Sequence, residues 1–258
     1  MLELYRWEPN MFSLKPLVVL HEKGLAFEDR YVDFLSLAHF DLAVAGALEV
    51  KYNPESDGPV LVDRGTAMTE SFFISLYLDE AYPETPLRPK DAHGRWRILM
   101  WARFVNEVMA PAVSTLGAHK YLVPALKDRR ETIEKKLARL PTQEARDGWR
   151  TALDDTYSQD LLADSRRKLG LAVNKVEETF AGSDWLAGDA FSLADIDAFS
   201  MLRPVPYLAA DLLAGAPRTT AWLARMEARP SIKTALGSSR TGKPHEAFTP
   251  GPEHSRWG

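Results

Sequence analysis

Asn53-Pro54-Glu55-Ser56-Asp57-Gly58-Pro59-Val60-Leu61-Val62-Asp63-Arg64-Gly65-Thr66-Ala67-Met68-Thr69-Glu70-Ser71 is the stretch from which the fold is read. Asn-Pro opens a turn, and Gly58-Pro59 leads into a short apolar strand, Val60-Leu61-Val62. Asp63-Arg64-Gly65 predicts a tight hairpin turn, because glycine accepts the positive φ that such turns demand. A second strand, Thr66-Ala67-Met68, runs into Thr69-Glu70-Ser71, where a helical pattern begins. A proline entering a strand at a sharp bend is a candidate cis-proline. A bend of that kind leaves backbone N–H and C=O groups free to pair with an extended peptide. The start of the helix aims N–H groups at any carboxylate that approaches. The stretch therefore reads either as a peptide-holding site or as an ordinary hairpin followed by a capped helix.

Working outward, Leu2-Glu3-Leu4-Tyr5-Arg6 alternates and reads as a strand. Trp7 to Phe12 is a loop. Ser13 opens a helix that runs through Leu20 and closes at Gly24, with Pro16 tolerated in its first turn. Phe27 to Asp33 is a second strand, and 37–50 a weak helix. With the hairpin and a helix over 70–81, the order β-α-β-α-β-β-α gives an α/β thioredoxin-like N-terminal domain, 1–81, with a right-handed crossover. Residues 82–90, with three prolines in Tyr82-Pro83-Glu84-Thr85-Pro86-Leu87-Arg88-Pro89-Lys90, form a linker.

Beyond the linker the strands stop, and 91–236 reads as an all-α C-terminal domain. Trp96, Leu99, Met100, Phe104 and Val108 recur at helical spacing along one face of a long helix, which Pro111 should bend or end. Lys127 to Glu131 is a charged run expected on a solvated face. Thr142 to Phe180 reads as a second long helical region. Ser192 and Asp195 form a variant capping box, so Asp195 is expected to be structural. The tail, 237–258, is polar and rich in proline and glycine, and is expected to lie over the surface or remain mobile.

The totals narrow the function. The chain has 258 residues, 45% hydrophobic and 26% charged, with a net charge of −4, which disfavours a nucleic-acid partner. No apolar run reaches the ~20 residues of a membrane helix. The N-terminus lacks an apolar signal core, so a cytoplasmic protein is expected. The absence of cysteine excludes disulfides, thiolate metal sites and a cysteine nucleophile. The six histidines are dispersed, without a metal-ligand pair at helical spacing. Any sulfur chemistry must arrive with a ligand.

Together, the thioredoxin-like half, the Asn-Pro…Pro59 turn, Thr69-Glu70-Ser71, the proline-rich linker and Ser192-Leu193-Ala194-Asp195 resemble glutathione S-transferases over about the first 236 residues. Ser13-Leu14-Lys15-Pro16-Leu17, Glu22-Lys23-Gly24-Leu25, Val113-Ser114-Thr115-Leu116-Gly117 and the insert from Pro141 to Arg150 are similar to one subgroup, the bacterial β-etherases of lignin-derived β-aryl ethers. The resemblance implies glutathione as cosubstrate, with no metal. Glu70 and Ser71 would bind its γ-glutamyl end, backbone at Gly58 beside Pro59 its cysteinyl part, and Lys51 its glycyl carboxylate. Ser13 would face the sulfur. Where that subgroup places an asparagine thiol-side donor this chain has Phe12, and Asn10 is the alternative donor. Ser56 and Gly58 also depart from the pattern. A cleft for aromatic substrate would draw on Met11, Phe12, Trp101, Phe104, Val108 and Tyr121, each of which could equally be core. The implied partner is a small aromatic substrate, and the implied assembly a homodimer or a heterodimer with a related subunit.

Ser13 also has a physical case. A free thiol titrates near 8.5, so only a few per cent is thiolate at neutral pH. A hydroxyl donor at a helix N-terminus favours the anion. Lowering the pKa by about two units takes roughly 2.7 kcal/mol, within reach of one or two hydrogen bonds to a charged acceptor. The competing reading is that Ser13 only caps its helix. The functions left open are a β-etherase, a general detoxifying transferase, and a weakly or non-catalytic subunit of the same fold.

Overall fold

The computed structural model describes residues 1–38 and 58–253. The weak helix expected over 37–50 lies almost wholly outside these residues, as do Lys51 and Ser56. A 3-10 turn, Phe34–Ser36, is described before that gap. Elements are numbered below among the described residues.

The N-terminal half is a four-stranded sheet in the order β2-β1-β3-β4, formed by β1 (Leu2–Arg6), β2 (Phe27–Tyr31), β3 (Val60–Asp63) and β4 (Thr66–Met68). β1 is parallel to β2 and antiparallel to β3, and β3 is antiparallel to β4. The hairpin turn is the one the sequence predicts. Arg64 and Gly65 have φ of 51° and 80°, both positive, which matches the right-handed twist of the flanking strands. β2 stops at Tyr31, two residues short of the expected end, and its charged face lies at the sheet edge.

Helix α1 (Leu14–Glu22) crosses between β1 and β2. It ends in a Schellman motif: Leu25 N–H donates to Leu20 O at 3.0 Å and Gly24 N–H to His21 O at 3.2 Å, with Gly24 at φ 62°. Helix α2 (Ser71–Ala81) packs beside α1. The linker that follows is tied back to α2. Asp79 pairs with Lys23 at 2.8 Å and Arg88 at 2.7 Å, and accepts from Leu87 N–H. Burial pushes the Asp79 carboxyl up, but these three donors outweigh it and hold it below the usual carboxylate range.

The C-terminal half is helical. α3 (Ala92–Phe104) continues through a π-helical turn, Val105–Met109, into α4 (Ala110–Gly117). A second π-helical turn, Ala118–Leu122, leads to α5 (Val123–Leu126). Pro111 and Pro124 each occupy the second position after a π turn. A proline inside a helix lacks an N–H and crowds the carbonyl four residues back. The extra residue in each π turn absorbs that defect, so the helical path continues where an ending was one expectation.

The periodic face chosen from sequence is the outward one. Trp96, Leu99 and Met100 are exposed, while Ile98, Trp101, Ala102 and Val105 face the core. Both faces of α3 carry large apolar side chains, so periodicity alone could not assign the inside.

After α6 (Arg130–Leu137), the expected single helical region divides into α7 (Gln143–Asp154) and α8 (Gln159–Thr179). Asp155 adopts the left-handed conformation at φ 51°, and Ser158 caps α8 by accepting from Leu161 N–H. α9 (Leu193–Leu202), α10 (Val205–Leu208), α11 (Pro217–Glu227) and α12 (Pro230–Gly237) complete the domain. The Ser192/Asp195 capping box is present, and Asp195 is fully buried. α1 packs on α9 and α12, so the main apolar core runs through both halves.

The tail differs most from expectation. Glu8, buried in the β1–α1 loop, accepts from Ser239 Oγ, Arg240 N–H and Thr241 N–H. Ala247 O accepts from Asn10 Nδ2 at 3.3 Å. Phe248 is buried against Gly117, where a Cβ would collide with its ring, and it stacks on Tyr121. Gly251 rests equally closely on Ser114. Two glycines accept tail residues: Gly117 takes Phe248, and Gly148 lies under Pro250. One buried aromatic and these sockets turn a polar segment into part of the core, burial of a phenyl ring contributing roughly 1.5–3 kcal/mol.

Candidate active site

Sheet register brings three sequence-distant segments to one edge. Tyr5 pairs with Val60, and Leu61 with Met68. The end of β1, the start of β3 and the end of β4 are therefore neighbours. The Trp7–Phe12 loop, Gly58-Pro59 and Thr69-Glu70-Ser71 all emerge there, each at the mouth of its strand.

Ser13 stands at the N-terminal end of α1 with φ −69° and ψ −26°. It does not cap the helix. Asn10 does so: its Oδ1 accepts from Phe12 N–H at 3.1 Å and Ser13 N–H at 3.0 Å, and its backbone O accepts from Leu14 N–H at 2.9 Å. The Ser13 hydroxyl is buried and has no hydrogen-bond partner among the described residues. A buried, unsatisfied hydroxyl costs about 1–3 kcal/mol, and here it sits on the helix end that favours an anion. Asn10 is committed at both ends of its carboxamide, Oδ1 to the loop and Nδ2 to Ala247 O. That geometry makes it an organiser of the loop, with one N–H of its carboxamide still uncommitted among the described residues.

Glu70 is the other unusual residue. It precedes α2 at φ 67° and ψ 101°, a region that favours glycine and costs a side-chain-bearing residue of order 1–3 kcal/mol. Strain of this kind persists only where the surrounding structure holds it in place, and it clusters at functional sites. Ser71 is buried as the first residue of α2, and its carbonyl accepts from Ser75 Oγ. Gly58 is half-buried and Pro59 buried. No peptide bond among the described residues is cis, so Gly58-Pro59 is trans, a correction to the cis-proline expected from sequence. The trans form is the intrinsically favoured one for X–Pro. Pro59 simply leads into β3.

The aromatic cleft expected from sequence is not one place. Met11 is buried in the loop, its sulfur 3.8 Å from Ser114 Oγ, and Phe12 is half-buried with Lys15 Nζ 5.9 Å from its ring centroid. Trp101, Phe104 and Val108 instead line a groove of about 450 Å³ with Arg97, Lys175 and Leu186, to which the described residues of 1–81 contribute nothing. Trp101 is buried there, donating from Nε1 to Leu186 O at 2.8 Å. Tyr121 touches the tail, stacked on Phe248 and edge-on to His245. Phe248 follows Ala247, which holds Asn10. Sequence reading missed this role of the tail, and the lone aromatic in Ala247-Phe248-Thr249-Pro250 was the available signal. Among the described residues no cluster of histidine and carboxylate side chains could hold a metal, and no helix is long and apolar enough to cross a membrane.

A thioredoxin-like sheet joined to a helical domain, with a serine at the first helix and a strained Glu-Ser helix start, defines the class. The glutathione S-transferase N-terminal domain matches residues 1–80 and the C-terminal domain residues 116–230, and this chain belongs to the glutathione S-transferase family. It is 35% identical over 250 residues to Protein LigF of Sphingobium sp., covering 93% of this chain and 94% of that protein. The crystal structure of the β-etherase LigF superposes with a TM-score of 0.81 at 33% identity, covering 92% of this chain and 99% of that one. Glutathione S-transferase F14 of Arabidopsis thaliana is 30% identical over 235 residues, 85% of this chain and 77% of its own length. A glutathione transferase from Burkholderia graminis, with two glutathione molecules bound per subunit, superposes with a TM-score of 0.64 at 25% identity, covering 93% of this chain and 89% of that one.

Proposed function

We propose that this transferase is a glutathione-dependent β-etherase acting on aromatic ketones that carry a β-aryl ether. The single observation that carries the reading is the similarity to the β-etherase LigF over nearly the full length of both chains. In this reading the Ser13 hydroxyl donates to the glutathione sulfur and favours its thiolate. Glu70 and Ser71 hold the γ-glutamyl end, Gly58 and Pro59 the cysteinyl part, and Lys51 the glycyl carboxylate. Met11 and Phe12 border the electrophile. The thiolate attacks the carbon bearing the ether, the carbon–oxygen bond breaks, and phenoxide departs to take a proton from solvent. The electron-withdrawing ketone beside that carbon and a leaving group whose conjugate acid titrates near 10 make a strong general acid unnecessary.

The test is phenol release from a β-aryl ether ketone by the purified chain, with and without glutathione. Release is expected only with glutathione. Ser13→Ala should raise the pKa of the bound thiol by about one to two units, the worth of one hydrogen bond to a charged acceptor, and lower the rate at neutral pH about ten- to a hundredfold. Glutathione binding without release would instead favour a general transferase, the reading that the similarity to the Arabidopsis protein supports.

The assembly in this reading is a two-fold dimer. Trp96, Leu99 and Met100 are 53%, 52% and 43% exposed on one face of α3, beside the 450 Å³ groove. Such a cluster of large apolar side chains marks an interaction surface, and two-fold symmetry is the commonest closure. Trp96→Glu with Met100→Glu is expected to yield a folded monomer by sedimentation velocity, against a dimer for the parent. An unchanged sedimentation coefficient would remove α3 from the interface.

A further inference from the structure

A second cavity, of about 250 Å³, is lined by Thr115 of α4, the inserted helix α7, Tyr157, Leu161 and the tail residues Pro250 to Glu253. Drug-sized ligands fill about 300–1,000 Å³, so this space suits a single substituted ring. Leu161 and the two prolines, Pro250 and Pro252, give it apolar walls. Tyr157 adds an aromatic face, held edge-on by His119 at 5.7 Å. Threonine hydroxyls at Thr115 and Thr151 offer hydrogen bonds, and among the described residues the charged lining side chains are acidic: Glu144, Asp147 and Glu253. Asp147 is partly neutralised by Arg150 at 3.1 Å.

We infer that this cavity binds an uncharged phenol. A flat ring fits between Tyr157 and the prolines, and its hydroxyl donates to a lining carboxylate in a charge-assisted bond. A phenol titrates near 10 and enters neutral at pH 7, whereas a ring bearing a carboxylate meets like charge at Glu144 and Asp147. The tail is essential to the site, because Pro250, Gly251 and Pro252 close it and Gly251 is seated on Ser114. The inference stands apart from the thiol chemistry at Ser13 and is read by binding alone.

The experiment is calorimetric titration of the full chain with 2-methoxyphenol and with 4-hydroxy-3-methoxybenzoate at pH 7. The phenol is expected to bind at least tenfold more tightly than the acid. Glu144→Gln with Asp147→Asn should narrow that ratio to within about threefold. Thr151→Trp, which fills the cavity from the half-buried side of α7, should abolish binding of the phenol, and Tyr157→Leu, which removes the aromatic face, should weaken it severalfold while leaving the fold intact by circular dichroism. Equal affinity for the two probes in the parent, or phenol binding that survives Thr151→Trp, would overturn the assignment.

Discussion

Lys15→Met is expected to lower the unfolding free energy by about 3–5 kcal/mol, the cost of leaving one member of a buried ion pair uncompensated. Lys15 lies on α1, two residues after Ser13, and its ammonium reaches Asp197 on α9 at 2.6 Å, with each side chain 1% exposed. Apart from that ion pair, neither carboxylate oxygen of Asp197 has a hydrogen-bond partner among the described residues. Burial pushes the Asp197 carboxyl up, and Lys15 draws it part of the way back. Removing the cation removes the opposing pull. The sign follows from linkage: a carboxyl raised in the folded state costs least below its unfolded pKa near 3.9, and most once pH has risen through its folded value. The deficit of Lys15→Met should therefore be large at pH 7 and shrink towards pH 4. Lys15→Met with Asp197→Leu should recover most of the loss, since an apolar replacement of both partners is often neutral or stabilising. Urea unfolding of the four proteins of this cycle at pH 7 and pH 4.5 is the measurement. A loss below about 1 kcal/mol that does not change with pH would show the pair to be incidental. The pair also joins the domains at the helix that presents Ser13, so it sets the stability of the site along with that of the fold.

Asp195→Ala should cost a comparable amount for a different reason. Asp195 accepts from Leu186 N–H, Ser192 N–H, Ser192 Oγ and Trp222 Nε1 at 3.1–3.3 Å, all in the core. Alanine leaves several buried donors without acceptors at about 1–3 kcal/mol each, partly relieved by relaxation, for a total of roughly 3–5 kcal/mol. Asp195→Asn keeps Oδ1-like acceptance towards Leu186 and Trp222 but turns a donor on Ser192 N–H, so an intermediate loss is expected. Burial is the largest influence on this carboxyl and pushes its pKa up to about 6 against the pull of its four donors. Its contribution to stability is full below the unfolded value near 3.9 and is lost as pH rises through about 6. Relative to Asp195→Asn, the parent should lose stability between pH 4 and pH 6 and run parallel above it. Chemical denaturation across that range decides it: parallel curves throughout would mean that the folded and unfolded states bind protons equally, so that burial does not raise this carboxyl.

The hairpin was legible in the sequence because Arg64-Gly65 supplies its own turn geometry. The Schellman end at Gly24, the capping box at Ser192 and Asp195, and the linker prolines were legible for the same reason: each is a local interaction among residues a few positions apart. Ser13, Glu70 and Ser71 could be proposed together because each begins a helix just after a strand. The sequence did not reveal that Asn10, not Ser13, caps α1, since both stand within reach of the same N–H groups and only the loop's path chooses between them. Nor did it show that Trp101, Phe104 and Val108 line a groove apart from the Met11–Phe12 loop, because a helix apolar on two faces does not declare which face is inside.

What the sequence by itself determined is the two-part fold, the strand order's raw material and the helix starts proposed to frame a glutathione site, all properties of short-range backbone chemistry. Only the tertiary structure decided the rest. It buried Lys15 against Asp197 across 182 positions of sequence, drew the tail through the sockets at Gly117 and Gly148, and built the cavity beside Tyr157 from three separate segments. Those features depend on shape and charge meeting between surfaces distant along the chain. Such meetings are fixed by packing and leave no periodic mark on the residues that make them.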